Sequence, residues 1–282
     1  MIDRIAFQGE PGANSDIAAR VAYPTLTPLP CPSFEDAFAA VREGQARYAM
    51  IPVENSLAGR VADVHHLIPE SGLFIVGERF EPIRHQLLGV KGATLAGLRE
   101  VRSHPQALGQ CRKLLRDLGV AAVQSADTAG AAREIAELGD PSVGALASSL
   151  AGEIHGLTVL KPDIADAEHN TTRFLVFARE AENAAPNNGP CVTSFVFRVR
   201  NVPAALYKSL GGFATTGVNI TKLESYIDGG SFEAAMFFAE IEGHTEEQRV
   251  QLALDELRFF STSLKILGVF PADPFRRTAQ GA

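Results

Sequence analysis

The chain has 282 residues, 46% of them apolar and 21% charged, with a formal net charge of −7 and a pI near 5.5. That length allows one large domain or two to three smaller ones around a sizeable core. The acidity argues against nucleic acid or anionic membrane as a general partner, while leaving room for a small anion at a locally positive site.

The first residues, Met1-Ile2-Asp3-Arg4-Ile5, enter a strand-like run without the charged and apolar regions of a leader. No apolar run reaches the ~20 residues of a membrane span. A soluble, cytoplasmic protein is therefore expected. Cys31, Cys111 and Cys191 are scattered, with no spacing that suggests a metal or a disulfide framework.

Arg4 to Phe7 reads as a first strand, followed by Gly9-Glu10-Pro11-Gly12-Ala13-Asn14-Ser15. The glycines permit a tight turn, and Asn14 or Ser15 can cap a helix beginning near Asp16. Strand, turn and helix start suit an anion, but the spacing is not a dinucleotide fingerprint. Ser33 opens a second helix that Gly44 stops. Tyr48 to Val53 is a strand leading into Glu54-Asn55-Ser56, a polar triplet where open α/β sheets place ligands. His65 and His66 are adjacent and diverge on a helix, so they make no two-ligand metal face.

Leu73–Val76 and His85–Val90 are further strands. Val101–Ser103 ends in His104-Pro105-Gln106, and Pro105 starts a helix predicted to run to about Leu118. Strands at 121–124 and 143–147 likewise end in Ser125 to Thr128 and in Ser148-Ser149. Each hydroxyl alone is a helix cap; three on one sheet edge predict a polar cleft rich in donors. His169-Asn170-Thr171-Thr172-Arg173 then runs into the strand-forming tail Phe174-Leu175-Val176-Phe177. A hydroxyl and a permanent cation stand side by side there, and His169 and Asn170 either orient a site or cap the turn.

Residues 181–190 have the Pro/Gly/Asn composition of a linker. Beyond it, strands at 192–199, 220–227, 232–241 and 264–270 and helices at 204–215 and 245–261 are predicted. Asp228-Gly229-Gly230 is read as a hairpin turn. The order βαββαβ is the ferredoxin-like arrangement.

Phe7 to Ser15, Ile51 to Ser56 and Asn170 to Phe174, in that order and spacing, resemble the prephenate dehydratase family. Residues 203–207 and 222–226 sit where the two phenylalanine-binding motifs of its regulatory ACT domain fall. The resemblance covers essentially the whole chain. It implies an α/β fold: a two-lobed, type II periplasmic-binding-protein-like catalytic domain followed by a ferredoxin-like βαββαβ ACT domain. The implied layout is a catalytic domain at 1–180, a linker at 181–190, the ACT domain at 191–273 and a tail at 274–282. Lobe one takes about 1–80 and 166–180, and lobe two about 81–165.

The implied activity is the decarboxylating dehydration of prephenate to phenylpyruvate, with no cofactor and no metal, by an enzyme without a fused mutase. L-Phenylalanine is the expected allosteric effector, and a homodimer or homotetramer is expected through the ACT domains. An arogenate dehydratase, or a non-enzymatic sensor with a binding-protein cleft, are the alternatives. The family's essential threonine maps to Thr172. The reaction gains a benzene ring, so the protein must protonate a poor leaving group and position the substrate.

In this reading Thr172 donates to the departing hydroxyl. Arg173 holds a carboxylate or serves the hinge, and Glu54 orients a neighbour or is protonated. Asn55, Ser56, Ser103, Gln106, Ser125 and Thr128 supply donors, and Phe174 packs. Ala204, Ala205, Leu206, Gly217, Val218, Asn219, Ile220, Glu224 and Ser225 fall in the effector region. There Ala204 replaces the family's usual glycine, and Tyr226-Ile227 replaces Arg-Pro.

Overall fold

A computed structural model describes residues 3–279 except 168, 201 and 228–233. The predicted turn at Asp228 to Gly230, and the predicted strand start at Phe232, lie outside the described residues. Contacts gather the chain into two units, residues 1–65 with 79–174 and residues 66–78 with 175–282.

The first sheet grows from apolar runs buried on both faces, the pattern of parallel strands covered by helices. Its elements are β1 (Arg4–Gln8), α1 (Asn14–Ala22), β2 (Thr27–Cys31), α2 (Phe34–Arg42), β3 (Tyr48–Asn55), β4 (Gly59–Arg60), α3 (Ala62–His65), α4 (Leu67–Glu70) and β5 (Phe74–Pro82), with β11 (Thr171–Ala178) returning later. The strand order is β2-β1-β3-β11-β5, with β4 on β3, and the chain passes between its two units along β5 and β11. Ile5, Phe7, Met50 and Ile51 are fully buried. β2, Thr-Pro-Leu-Pro-Cys, is paired only with β1 among the described residues. Its two prolines donate no ladder hydrogen bond and are tolerated because this is an edge strand.

The second sheet uses β6 (Gln86–Gly89), β7 (Glu100–Ser103), α5 (Pro105–Gln110), α6 (Arg112–Leu118), β8 (Ala121–Gln124), α7 (Thr128–Leu138), β9 (Val143–Ala147), α8 (Ser149–Ile154) and β10 (Thr158–Lys161), in the order β10-β6-β9-β7-β8. β9, β7 and β8 are parallel neighbours, so their carboxyl ends share one edge. The helix predicted from Pro105 to Leu118 is two helices broken at Cys111. The break is held from afar. The Asp166 backbone N–H donates to the Gln110 carbonyl at 2.7 Å, and the Asp166 carboxylate accepts from the Lys113 N–H at 3.3 Å, so one residue caps both helix ends. Burial pushes the Cys111 thiol up to about 12, which leaves it an inert core group.

The loop after β1 is fixed against the second sheet's helices. Ser148 Oγ donates to the Gly12 carbonyl at 2.6 Å, and Gly12 has φ +90° with Ala151 where a side chain would go. Arg133 grips Glu10 with two bonds of 2.8 and 3.0 Å. That hydrogen-bonded guanidinium holds the Glu10 carboxyl below its ordinary value of 4.5. A depressed carboxylate stabilises the fold fully above its ordinary value and loses that contribution as pH falls through the folded one. Glu10→Gln should therefore flatten the acid limb of thermal stability below pH 4.5. An unchanged acid limb in melting curves would show that this contact carries no linkage.

In the second unit β12 (Cys191–Val199), α9 (Ala205–Thr216), β13 (Ile220–Ile227), β14 (Ala234–Glu242), α10 (Gln248–Phe260) and β15 (Ser261–Pro271) give the predicted βαββαβ order, followed by α11 (Phe275–Ala279). The sheet is antiparallel, ordered β13-β14-β12-β15, which is the ferredoxin-like topology. Phe195, Phe197, Phe213, Phe237, Leu254 and Leu257 fill its core, with Phe195 stacked on Phe213 and Phe197 on Phe237. Arg276 closes the unit by gripping the buried Glu78 carboxylate at 2.6 and 2.9 Å.

Ala204, the N-cap of α9, sits in the left-handed region at φ 64°, ψ 11°. A Cβ there costs about 1–2 kcal/mol, partly offset by glycine's greater unfolded-state entropy of about 0.5–1 kcal/mol. Ala204→Gly should thus stabilise the protein by roughly 0.5–1 kcal/mol in denaturant titration. A destabilising outcome would mean that the helix start relaxes in solution.

Candidate active site

Strand alternation decides which residues of the Thr172-Arg173-Phe174 run face a ligand, because successive side chains point to opposite faces. Thr172 and Phe174 line a cleft of about 410 Å³ within the first unit, a size suited to a small organic ligand. Arg173 points the other way, buried, with its guanidinium 3.9 Å from Glu54 and 5.8 Å from the Phe80 ring centre. Neither Arg173 nor Glu54 is on the cleft wall.

Asn55, the last residue of β3, organises the floor. Its Oδ1 accepts from the Leu57 and Ala58 backbone N–H groups at 3.0 Å each. Its Nδ2 donates to Thr172 Oγ1 at 2.9 Å and to Asn170 Oδ1 at 2.8 Å. Thr172 Oγ1 is therefore an acceptor on its protein side. The Thr172 hydroxyl proton has no acceptor among the described residues, which leaves it for a molecule in the cleft. From Asn170 the chain of bonds continues to Gln110 Oε1 at 2.9 Å and on to His85 Nε2 at 2.8 Å. His85 is buried, and desolvation lowers its pKa from the ordinary 6.5.

Of the other predicted donors, Gln106 and Thr128 are on the cleft wall and Ser56, Ser103 and Ser125 are not. Ser56 stitches β3 to β11: it donates to the His169 carbonyl at 2.7 Å and accepts from the Thr171 N–H at 3.0 Å. Ser103 is fully buried and donates to the Leu146 carbonyl at 2.7 Å, and Ser125 donates to Glu134 at 3.1 Å. The serines at the carboxyl ends of β7, β8 and β9 do share an edge, but their protons go to protein oxygens that the fold brings to them: the Leu146 and Gly12 carbonyls and the Glu134 carboxylate.

Gln8, Asn14, Ser15, Asp63, His85, His104, Gln110 and Asp127 complete the polar wall. Gln110 had a signal in the sequence, since it lies four residues after Gln106 and so on the same helix face. His85 had none beyond preceding an apolar strand. No lysine or arginine lines the cleft among the described residues. No group of three or more His, Cys, Asp or Glu side chains among them is arranged to hold a metal, and no described helix is long and apolar enough to cross a membrane.

The predicted effector residues fall into three groups. Ala204, Ala205 and Leu206 start α9; Gly217, Val218, Asn219 and Ile220 follow its end. Its twelve residues separate these first two groups by about 18 Å. Glu224 and Ser225 lie on β13, with Glu224 held by Lys222 at 2.8 Å.

The family model for prephenate dehydratase matches residues 5–182, well over half of the chain. This chain belongs to the prephenate dehydratase family. A bifunctional N-acyl-homoserine lactone acylase/prephenate dehydratase of Komagataeibacter europaeus is 52% identical over 97% of this chain and 97% of its own. Arogenate dehydratase/prephenate dehydratase 1 of Arabidopsis thaliana, a chloroplastic protein, is 38% identical over 97% of this chain and 73% of its own. The crystal structure of prephenate dehydratase from Arthrobacter aurescens in complex with L-Phe superposes with a TM-score of 0.87 at 26% identity, covering 99% of this chain and 97% of that one. As a prephenate dehydratase family member the chain is a carbon–oxygen lyase, and its α/β architecture, two lobes and a C-terminal domain, is that of the family's solved structures.

Proposed function

We propose that the protein converts prephenate to phenylpyruvate, with Thr172 as the acid. The carboxylate carbon–carbon bond breaks to release carbon dioxide, its electron pair enters the ring, and the para hydroxyl leaves with the Thr172 proton as water. Solvent then reprotonates Thr172. The observation that carries this reading is the bond from Asn55 Nδ2 into Thr172 Oγ1, which directs the hydroxyl proton toward the cleft and polarises it. Asn14, Gln106, Gln110 and Thr128 supply neutral donors for the substrate carboxylates.

Arogenate is the second reading, favoured by Asp63 and Asp127 on a wall without lysine or arginine among the described residues, where an ammonium group would be welcome. Turnover of the two purified substrates compared side by side tests the choice; a clear preference for arogenate would overturn the first. The 52% identical relative is named for an acylase activity as well, so release of homoserine lactone from an N-acyl-homoserine lactone by the purified protein decides whether this chain shares it.

The C-terminal unit reads as an ACT domain that binds L-phenylalanine and lowers turnover. Support comes from its ferredoxin-like topology and from the relative crystallised with L-Phe. Because the effector residues at the start of α9 and those after its end stand about 18 Å apart, an effector site using both needs a second copy, which fits a homodimer or homotetramer. Light scattering with and without phenylalanine, alongside turnover, tests this. A monomer, or a dehydratase indifferent to phenylalanine, would overturn it.

A further inference from the structure

The bonds that reach Thr172 end at His85, a residue outside the motifs that carry the family resemblance. The direction of every bond in that relay follows from its Asn55 end. The Leu57 and Ala58 N–H groups can face only an oxygen, so Asn55 Oδ1 lies there and Asn55 Nδ2 faces Asn170 and Thr172. Asn170 must then present Oδ1 to Asn55 and Nδ2 to Gln110, and Gln110 must present Oε1 to Asn170. That same Oε1 lies 2.8 Å from His85 Nε2. An amide oxygen has no proton to give, so His85 carries its proton on Nε2. Burial disfavours the imidazolium, and the ring is the neutral Nε2–H tautomer.

We infer that His85 is a positioning residue for the dehydration: its Nε2–H anchors Gln110 Oε1 and thereby holds Asn170, Asn55 and the Thr172 hydroxyl in the one arrangement that offers the Thr172 proton to the cleft. This rests on the dehydratase reading of the same cleft. Gln110 is a long side chain on the last residue of a helix that ends at Cys111. With His85 gone it keeps a single bond, from Asn170. Asn170 then swings more freely, and Asn55 Nδ2 can turn toward the Thr171 carbonyl, already 3.4 Å away, and release Thr172.

The test combines turnover with a measurement that needs no turnover. His85→Leu should lower kcat by about 10- to 100-fold with KM changed little, because positioning and not binding is lost. His85→Gln, whose amide nitrogen reaches about as far as Nε2, should recover most of that loss. In a Thr172→Ala background His85→Leu should change residual turnover by less than about twofold, since the relay then has nothing to position. Losses that multiply independently, or a Gln variant no better than Leu, would overturn the role. Nitrogen-15 NMR of the ligand-free wild-type protein should show His85 in the Nε2–H tautomer. The Nδ1–H tautomer would overturn the relay whatever the turnover and however the leucine variant folds. A wild-type protein that turns over neither prephenate nor arogenate would instead sink the dehydratase reading, and the role with it, while the tautomer still reports on the relay.

Discussion

Thr172→Ala should cut kcat by about 10²- to 10⁴-fold, the range that a positioned acid contributes, while ligand-induced thermal stabilisation survives. The variant removes one proton donor and a methyl-sized volume from a cleft that Asn55, Gln106, Gln110, Thr128 and Phe174 still line. Thr172→Ser keeps the hydroxyl and should retain a large part of the activity. Phenylpyruvate absorbance and melting curves with and without substrate separate the two effects. If the alanine variant turns over within about threefold of wild type, the proton comes from elsewhere, since general-acid loss cannot be that mild.

Asn55 should rank next. Asn55→Leu strips the acceptor from the Leu57 and Ala58 N–H groups and the donor from Asn170 and Thr172. Leaving buried polar groups unpaired costs about 1–3 kcal/mol each, so a clear fall in denaturation midpoint should accompany a kcat loss of about 10²-fold. Asn55→Asp is the sharper variant. The introduced carboxylate still accepts from Leu57 and Ala58 but cannot donate to Thr172, and it attracts the Thr172 proton back into the protein. It should fold better than the leucine variant and turn over no faster. An aspartate variant with near wild-type kcat would show that the direction of the Thr172 hydroxyl is irrelevant.

The elements were legible wherever local rules act alone. Ser33 and Ser148 cap their helices as read, the βαββαβ order of the C-terminal unit follows from its periodicities, and the strand after Asn170 follows from its apolar run. What distant residues decide was not legible. The two prolines of β2 argue against a strand, and its place at a sheet edge is what permits them. The break at Cys111 depends on Asp166, more than fifty residues on.

In the site, Asn55, Gln106, Thr128, Thr172 and Phe174 line one cleft, but Ser103 and Ser125 bond to the protein and Arg173 faces away. Strand period alone separates Arg173 from its neighbours, a reading open to the sequence once Thr172 is taken as the inward residue. His85 and Asn170 gain their place only from the fold, because the bonds joining them run between segments 25 and 60 residues apart.

Acid catalysis by Thr172 depends on where its hydroxyl points, and a crystal structure with a non-reacting prephenate analogue tests that most directly. Thr172 Oγ1 should lie within hydrogen-bond reach, about 2.6–3.2 Å, of the analogue's ring hydroxyl, with Asn55 Nδ2 still donating to it from behind. A ring hydroxyl bound to another acid, or a Thr172 Oγ1 placed within hydrogen-bond reach of a protein acceptor and not of the ring hydroxyl, would contradict it.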